Sequence, residues 1–312
     1  MLKLSIRTLN PQLQQAAIKE LHEVPERLTA DIAALRIWIQ QQPHLRARED
    51  DQFLLAFLRG CKFSLEKAKH KIDRFYTLRT KYPEFFSVTN VHDHKLRELI
   101  NSGIIVYLPT PLNEVGPRIA FIRSGCYPAD KFTMQDIAHV MEGIQDILLL
   151  EDDYALIFGI VSVIDVKKAS TAHLMQMTPA GLKKMIVFSE EALPLRAKAA
   201  HFTNTPSSFE TFFNLLKPMF SKKHQQRLSV HGNKLDSLYE HIPLKYLPKE
   251  YGGENGSIEE GIAELNKKLD DYRDFFKANA QYGTDEKLRP GKPIDFDNLF
   301  GMEGSFRKLE VD

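Results

Sequence analysis

The sequence predicts an α/β fold, a mixed but largely parallel sheet flanked by helices, preceded by an all-helical unit. Three observations predict it. From Ile104 onward, short β-branched runs alternate with helix-length segments, the pattern that builds parallel sheets through crossover connections. One of these runs, Leu156–Val166 (LIFGIVSVIDV), is apolar at both alternating sets of positions, as a strand covered on both faces must be. The first hundred residues show only helical periodicity.

The elements follow in order. Leu13–Val24 and Pro25–Gln42 read as helices, the second with Ile32, Leu35, Trp38 and Ile39 on one side. After Pro43, Asp50 and Asp51 stand where they can cap the helix of FLLAFLR, and Ser64 opens a longer helix that Pro83 stops after Lys81. IIVYL (104–108) and RIAFIR (118–123) read as strands around the turn-rich PTPLNEVGP. Thr133–Leu150 is a helix capped by Thr133, and Leu156–Val166 is the central strand. Pro179–Leu193 (helix), Ala197–Phe202 (strand), Pro206–Phe220 (helix) and Leu228–His231 (strand) continue the alternation. Ile258–Ala280 is a final amphipathic helix, and Asp285–Asp312 a Pro/Gly-punctuated extended tail. The boundaries expected are 1–100 for the helical domain, 101–256 for the α/β domain and 257–312 for the terminal helix and tail.

Composition narrows the function. With 42 basic and 41 acidic residues the formal charge is +1, so bulk electrostatics cannot drive binding to nucleic acid or anionic membranes. Any such binding needs a local patch. Only Cys61 and Cys126 are present, far apart, giving neither a disulfide framework nor a zinc spacing and suiting a reducing compartment. The start, MLKLSIRTLNPQ, has no long apolar core, and the longest uncharged apolar stretch, near Ala155–Ile164, falls far short of a membrane span. A cytoplasmic location is expected.

Catalytic signatures are missing: there is no G-x-S-x-G elbow, no G-x-x-x-x-G-K-[ST] loop, no G-x-G-x-x-G after a strand and no H-E-x-x-H. Hydrolase, NTPase and dehydrogenase readings weaken accordingly. His92-Asp93-His94 is the nearest approach to a metal cluster, at a polar helix start where Asp is an ordinary cap. Asp165 ends the central strand beside Lys167 and Lys168, where α/β proteins often put functional groups, but a strand-end Asp that bonds loop amides is the better reading of it.

The informative region is Leu193–Arg227. Phe209, Phe212, Phe213, Leu216 and Phe220 recur at helical spacing and make an aromatic stripe, with Arg196, Lys198, Lys217, Lys222, Lys223 and Arg227 around it. Core packing accounts for such a stripe alone, and a solvated face for such charges alone. Together they are also what a membrane-docking surface needs.

DDQFLLAFLRGCKFSLEKA (50–68), the strand ending Ile164-Asp165, the helix opening Thr178-Pro179, ALPLRAK, HFTNTPSSFETFFNLLKPMFSKK, LSVHGN and LPKEYGG occur in order along nearly the whole chain. Together they resemble the CRAL-TRIO (Sec14-like) lipid-transfer family, closest to its alpha-tocopherol transfer protein-like branch. The tail LRPGKPIDFDNLFGMEGSF is similar to the C-terminus common in insect members.

The resemblance implies a sheet enclosing one apolar ligand behind a mobile gate helix that carries Phe209, Phe212, Phe213, Leu216 and Phe220. It implies phosphoinositide contacts at Arg59, Arg196, Lys198, Lys217, Lys223 and Arg227. Cys61 stands where that branch has a further Arg, with Lys62 as the nearest substitute. Expected pocket walls are Met141, Gln145, Ile160, Val161, Ile164, Met185, Phe188, Leu193 and Leu195, and an inward Glu142 or Gln145 would require a cargo with a polar end. The expected activity is that of a monomeric, non-enzymatic carrier of a tocopherol-, retinoid- or carotenoid-like molecule. It would need no cofactor or metal, bind no nucleic acid, and dock reversibly on endosomal or plasma membranes. A phospholipid exchange protein and a cargo-free interaction module of the same fold are the alternatives.

Overall fold

The computed structural model describes residues 6–206, 209–233, 235–292 and 294–296. The helical unit comprises α1 (Pro11–Leu21), α2 (Leu28–Gln40), α3 (Asp51–Gly60), α4 (Leu65–Lys81), α5 (Pro83–Phe86) and α6 (His94–Asn101), with the short strand β1 (Leu45–Arg46) between α2 and α3. Asn10 starts α1 by accepting a hydrogen bond from the Leu13 amide at 2.8 Å, ahead of a proline at the first helical position. Phe53, Leu54, Leu55, Phe57 and Leu58 are all buried, because α3 runs through the middle of the unit and touches neighbours on every side.

The α/β layer holds strands β2 (Ile105–Tyr107), β3 (Arg118–Arg123), β4 (Ile160–Asp165), β5 (Ala197–Thr203) and β6 (Leu228–Val230) in that spatial order. β2 and β3 are antiparallel; β3 to β6 run parallel. The crossovers carry α7 (Met134–Glu151) and α8 (Asp153–Phe158), then α9 (Thr171–Gln176) and α10 (Pro179–Val187), then α11 (Phe209–Leu216) and α12 (Lys222–Gln225). A π turn, Phe188–Ala192, extends α10. Behind the sheet lie α13 (Asp236–Tyr239), α14 (Ile258–Asp271) and α15 (Arg273–Ala278), and the closing strand β7 (Gly283–Thr284) pairs antiparallel with β1.

Three expectations need correction. Leu156–Phe158 is helical rather than part of the central strand: Asp152 caps α8 by accepting from the Ala155 amide at 2.9 Å, and Gly159, at φ +86°, turns the chain into β4. The aromatic helix ends at Leu216, because Pro218 forces a 3-10 turn at Lys217–Met219. The terminal helix breaks at Tyr272. The expected tail lies outside the described residues beyond 296, but its described part is tied to the helical unit through β7.

Candidate functional site

Strand register divides the sheet into two unlike faces. One, with Val106, Ile119, Phe121, Val161 and Val163, is buried against Leu238, Ile242, Tyr246, Leu247 and Ile258. The other carries Ile122, Ile160, Ser162, Ile164, Ala200 and Leu228, all only half-buried, beside the buried Ala120 and Phe202. All of the half-buried ones but Leu228, which is on the edge strand β6, lie on inner strands, with α7, α10 and α11 on their side. Side chains there retain accessible surface only where an unfilled space adjoins them. Met141 and Gln145 on α7, and Leu182 and Met185 on α10, are half-buried in the same way. Ile122 and Met141 border one apolar cluster, Ile160 and Met185 another.

Met141, Gln145, Ile160, Ile164 and Met185, expected as pocket walls, all share this half-buried state. Val161 does not, since successive strand residues alternate and it points to the filled face. Phe188, Leu193 and Leu195 are packed into the core shared with the helical unit, Phe188 stacking on Phe86 at 4.2 Å. Ser162 was missed. Its signal was the period of two that joins it to Ile160 and Ile164, and its hydroxyl makes no hydrogen bond among the described residues.

Phe209 and Phe213 of α11 pack on Phe202 of β5 with ring centroids at 5.4 and 5.6 Å, and Leu216 is buried as well. Phe212 and, past the helix end, Phe220 are half-buried. The opposite side of α11 presents Leu215 at 73% exposure. This helix packs on β5 while showing an apolar residue to the outside.

The basic residues gather at the amino ends of the parallel strands. Arg196 donates to the carbonyls of Arg59 (2.8 Å), Leu156 (3.0 Å) and Ile157 (2.5 Å), which fixes its guanidinium between α3 and α8. Lys198 is exposed, and burial of part of its stem together with Arg196, Arg227 and Lys62 lowers its pKa, so these four cations share one region. Arg227 donates to the Ala197 carbonyl. Lys223 joins through Lys71, whose pKa burial lowers and Lys223 lowers further; Lys71 itself donates to the Glu190 and Leu193 carbonyls at 2.8 and 2.9 Å. Lys217 lies over the Phe213 ring at 5.8 Å. Burial pushes the Cys61 thiol up to about 11 although Lys71, Lys67 and Arg196 oppose it, which leaves it neutral at physiological pH.

Arg59 is removed from this set. Its side chain is 1% exposed and paired with Glu23 (2.9 Å) and Asp153 (3.4 Å), so no head group can reach it. Lys62 lies near enough to Lys198 to act on it electrostatically. Glu142 faces away from the space: it pairs with Arg79, which also holds Asp146 at 2.6 Å, in a buried network that Asn279 completes at 3.1 Å. Asp165 is structural, accepting from the Lys167 amide (3.0 Å), the Asn204 side chain (2.8 Å) and the Tyr251 hydroxyl. Asp93 caps α6 through the Leu96 amide at 2.9 Å, and among the described residues no trio of His, Cys, Asp or Glu is placed to hold a metal. Nor is any described helix long and apolar enough to cross a membrane.

Residues 101–253 match the family model described as "CRAL/TRIO domain", and residues 24–96 the model described as "Pinta-like, UBA domain". The chain is 31% identical over 258 residues to alpha-tocopherol transfer protein-like of Mus musculus, covering 81% of this chain and 73% of that protein, and the Homo sapiens relative gives the same values. Clavesin-2 of Homo sapiens is 25% identical over 289 residues, 92% of this chain and 86% of that one. The crystal structure of Sfh5 superposes with a TM-score of 0.46 at 15% identity over 86% of this chain and 99% of that one, too distant to carry an argument. With the helical unit, the mixed sheet and these matches in the same order along the chain, the protein belongs to the CRAL/TRIO lipid-transfer family.

Proposed function

We propose that the chain carries one apolar molecule of tocopherol, retinoid or carotenoid type between the sheet and the α7–α10–α11 layer, and hands it over at membranes containing phosphoinositides. The observation behind this reading is the asymmetry of β4, where Val161 and Val163 are filled over while Ile160, Ser162 and Ile164 keep open surface on the side of α7, α10 and α11. The mostly apolar walls favour a terpenoid-like cargo over a phospholipid, whose phosphate would need cationic partners inside.

Magnitudes set the mechanism. A cargo burying the equivalent of about twenty methylenes gains on the order of 16 kcal/mol over water, so release into water is negligible. Opening α11 exposes Phe209, Phe213 and Leu216 at about 1.5–3 kcal/mol each, which keeps the lid shut in solution. A bilayer receives the same side chains and removes that cost. Arg196, Lys198, Lys217, Lys223 and Arg227, near an anionic surface, add about 1 kcal/mol each, enough to orient the lid without anchoring the protein permanently.

Native mass spectrometry of the purified chain, followed by extraction, tests the reading. A stoichiometric apolar molecule is expected, with transfer to acceptor vesicles faster when they contain phosphoinositides. An empty protein that fails to take up any such molecule, or equal transfer with and without phosphoinositides, overturns the corresponding half.

A further inference from the structure

The opposite end of the sheet holds a second cationic cleft. Its volume is about 490 Å³, and it lies at the carboxyl ends of β3 and β4, lined by Arg123, Cys126, Lys167, Lys168, Asn204 and Tyr251 among others. β5 runs from Ala197, in the basic region described above, to Thr203, next to Asn204. At about 3.3 Å per residue this separates the two regions by roughly 20 Å. They cannot share one small ligand.

Two carboxylates also line the cleft, and both are already engaged. Asp165 accepts from Lys167, Asn204 and Tyr251, and Glu250 accepts from the Ile258 amide at 2.8 Å. The cations are not engaged to the same extent. Arg123 donates from Nε to the Gly103 carbonyl (2.9 Å) and from Nη2 to the Ser102 carbonyl (2.6 Å), which fixes the guanidinium plane and leaves Nη1 without a partner among the described residues. Lys167 and Lys168 are exposed, and neither ammonium forms an ion pair or hydrogen bond among the described residues. Both Arg123 and Lys168 act electrostatically on Cys126, so their charges converge on the cleft.

The frame is rigid. Gly125, in the loop after β3, lies so close to the loop after β4 that an added Cβ would come within 2.1 Å of the Lys168 carbonyl carbon. Asn204 is held at φ +53° by its bond to Asp165. Three cations outnumber the two carboxylates lining this concave site, whose oxygens are already hydrogen-bonded by neutral donors, and the excess of positive charge with free donors on Arg123, Lys167 and Lys168 matches a compact oxyanion.

We propose that this cleft is a second anion site, which takes a phosphate monoester or free phosphate independently of the basic region at the lid. Arg123 supplies an oriented donor, Lys167 and Lys168 supply charge, and Asn204 supplies a side chain at the head of the segment leading to α11.

Calorimetric titration of the full-length chain with inorganic phosphate tests this. Saturable binding is expected, weakened at least about tenfold in Lys167→Glu/Lys168→Glu and changed less than about twofold in Lys198→Glu/Lys223→Glu. Both pairs are exposed, so an unchanged thermal midpoint confirms that the variants fold. Co-sedimentation with phosphatidylcholine vesicles containing phosphatidic acid then separates the sources. Loss in Lys167→Glu/Lys168→Glu identifies a lipid headgroup as the occupant, and retention identifies a soluble phosphate. No saturable phosphate binding, or equal weakening by the two pairs, overturns the proposal, and neither result bears on the apolar cargo.

Discussion

Arg59 and Glu23 form an ion pair at 2.9 Å in which neither side chain is more than 1% exposed, and Asp153 adds a second carboxylate at 3.4 Å. This pair joins α3 to the turn after α1 and to the start of α8, so it fastens the helical unit onto the α/β layer. Removing the guanidinium leaves the fully buried Glu23 carboxylate without an opposite charge, with only the Gln14 amide donating to it at 3.0 Å. Arg59→Ala is expected to lose about 3–5 kcal/mol of stability in a denaturant titration, the cost of breaking a buried pair from one side. Its folded fraction should bind phosphoinositide vesicles as the parent does. A variant with normal stability and poor vesicle binding would return Arg59 to the membrane surface.

The same residue shows where sequence reading stops. The FLLAFLR word and its helix were legible from local signals, but what Arg59 does is decided by Glu23, 36 residues away, and Asp153, 94 residues away, and no local pattern encodes such pairing. β4 is the opposite case. Asp152 as a cap and Gly159 as a stop were both present in the sequence, yet continuous hydrophobicity concealed them and made Leu156–Phe158 read as strand. That error also merged two faces and placed Val161 beside Ile160. Once the strand starts at Ile160, strict alternation assigns Ile160, Ser162 and Ile164 to one side without further information. The aromatic helix was the most legible element, because an i, i+3, i+4, i+7 apolar pattern survives a shift of helix boundaries.

The basic rim at the lid predicts a graded electrostatic response. Lys198→Glu/Arg227→Glu removes two positive charges and adds two negative ones beside Arg196 and Lys62. At about 1 kcal/mol per charge near an anionic surface, binding to phosphoinositide vesicles should fall at least about thirtyfold. The loss should shrink as salt rises, since the Debye length falls to about 3 Å at 1 M. Flotation at two ionic strengths checks both statements. An equal loss at high and low salt would point to a structural rather than an electrostatic role.

His201 predicts a dependence on acid. Its Nδ1 lies 2.9 Å from Nε2 of His231, whose Nδ1 meets the Ser237 hydroxyl at 2.8 Å, and the His241 ring stands 5.1 Å from that of His201. Burial, then His231 and His241, hold the His201 pKa down to about 4 from an ordinary 6.5. The unfolded chain therefore takes up this proton more readily than the folded one between about pH 6.5 and 4. Stability from this group is complete above pH 6.5 and is lost as pH falls toward 4, at no more than about 1.4 kcal/mol per unit. Thermal midpoints measured from pH 7 to 4 should fall less steeply in His201→Gln than in the parent. Parallel slopes would show that the cluster does not control the acid limb.

Leu215 and Phe213 stand two residues apart on α11, within one turn and on opposite sides, and the difference separates docking from gating. Leu215 is 73% exposed and supports nothing inside, so Leu215→Asp should leave stability within about 0.5 kcal/mol of the parent. On a membrane the same change forfeits about 1.5–3 kcal/mol of apolar insertion and places a carboxylate against an anionic surface, which should reduce vesicle binding at least tenfold. Phe213 is buried against Phe202 and Phe209, and Phe213→Ala removes what holds the lid shut. Its expected effect is the reverse in kind: vesicle binding maintained, cargo lost to acceptor vesicles lacking phosphoinositides faster than from the parent, because the opening cost has fallen by about 1.5–3 kcal/mol. Pre-loaded fluorescent retinoid followed by energy transfer to the vesicle distinguishes the two variants. If Leu215→Asp transfers cargo like the parent, α11 does not enter the bilayer. If Phe213→Ala retains cargo like the parent, α11 is a wall of the site and not its lid.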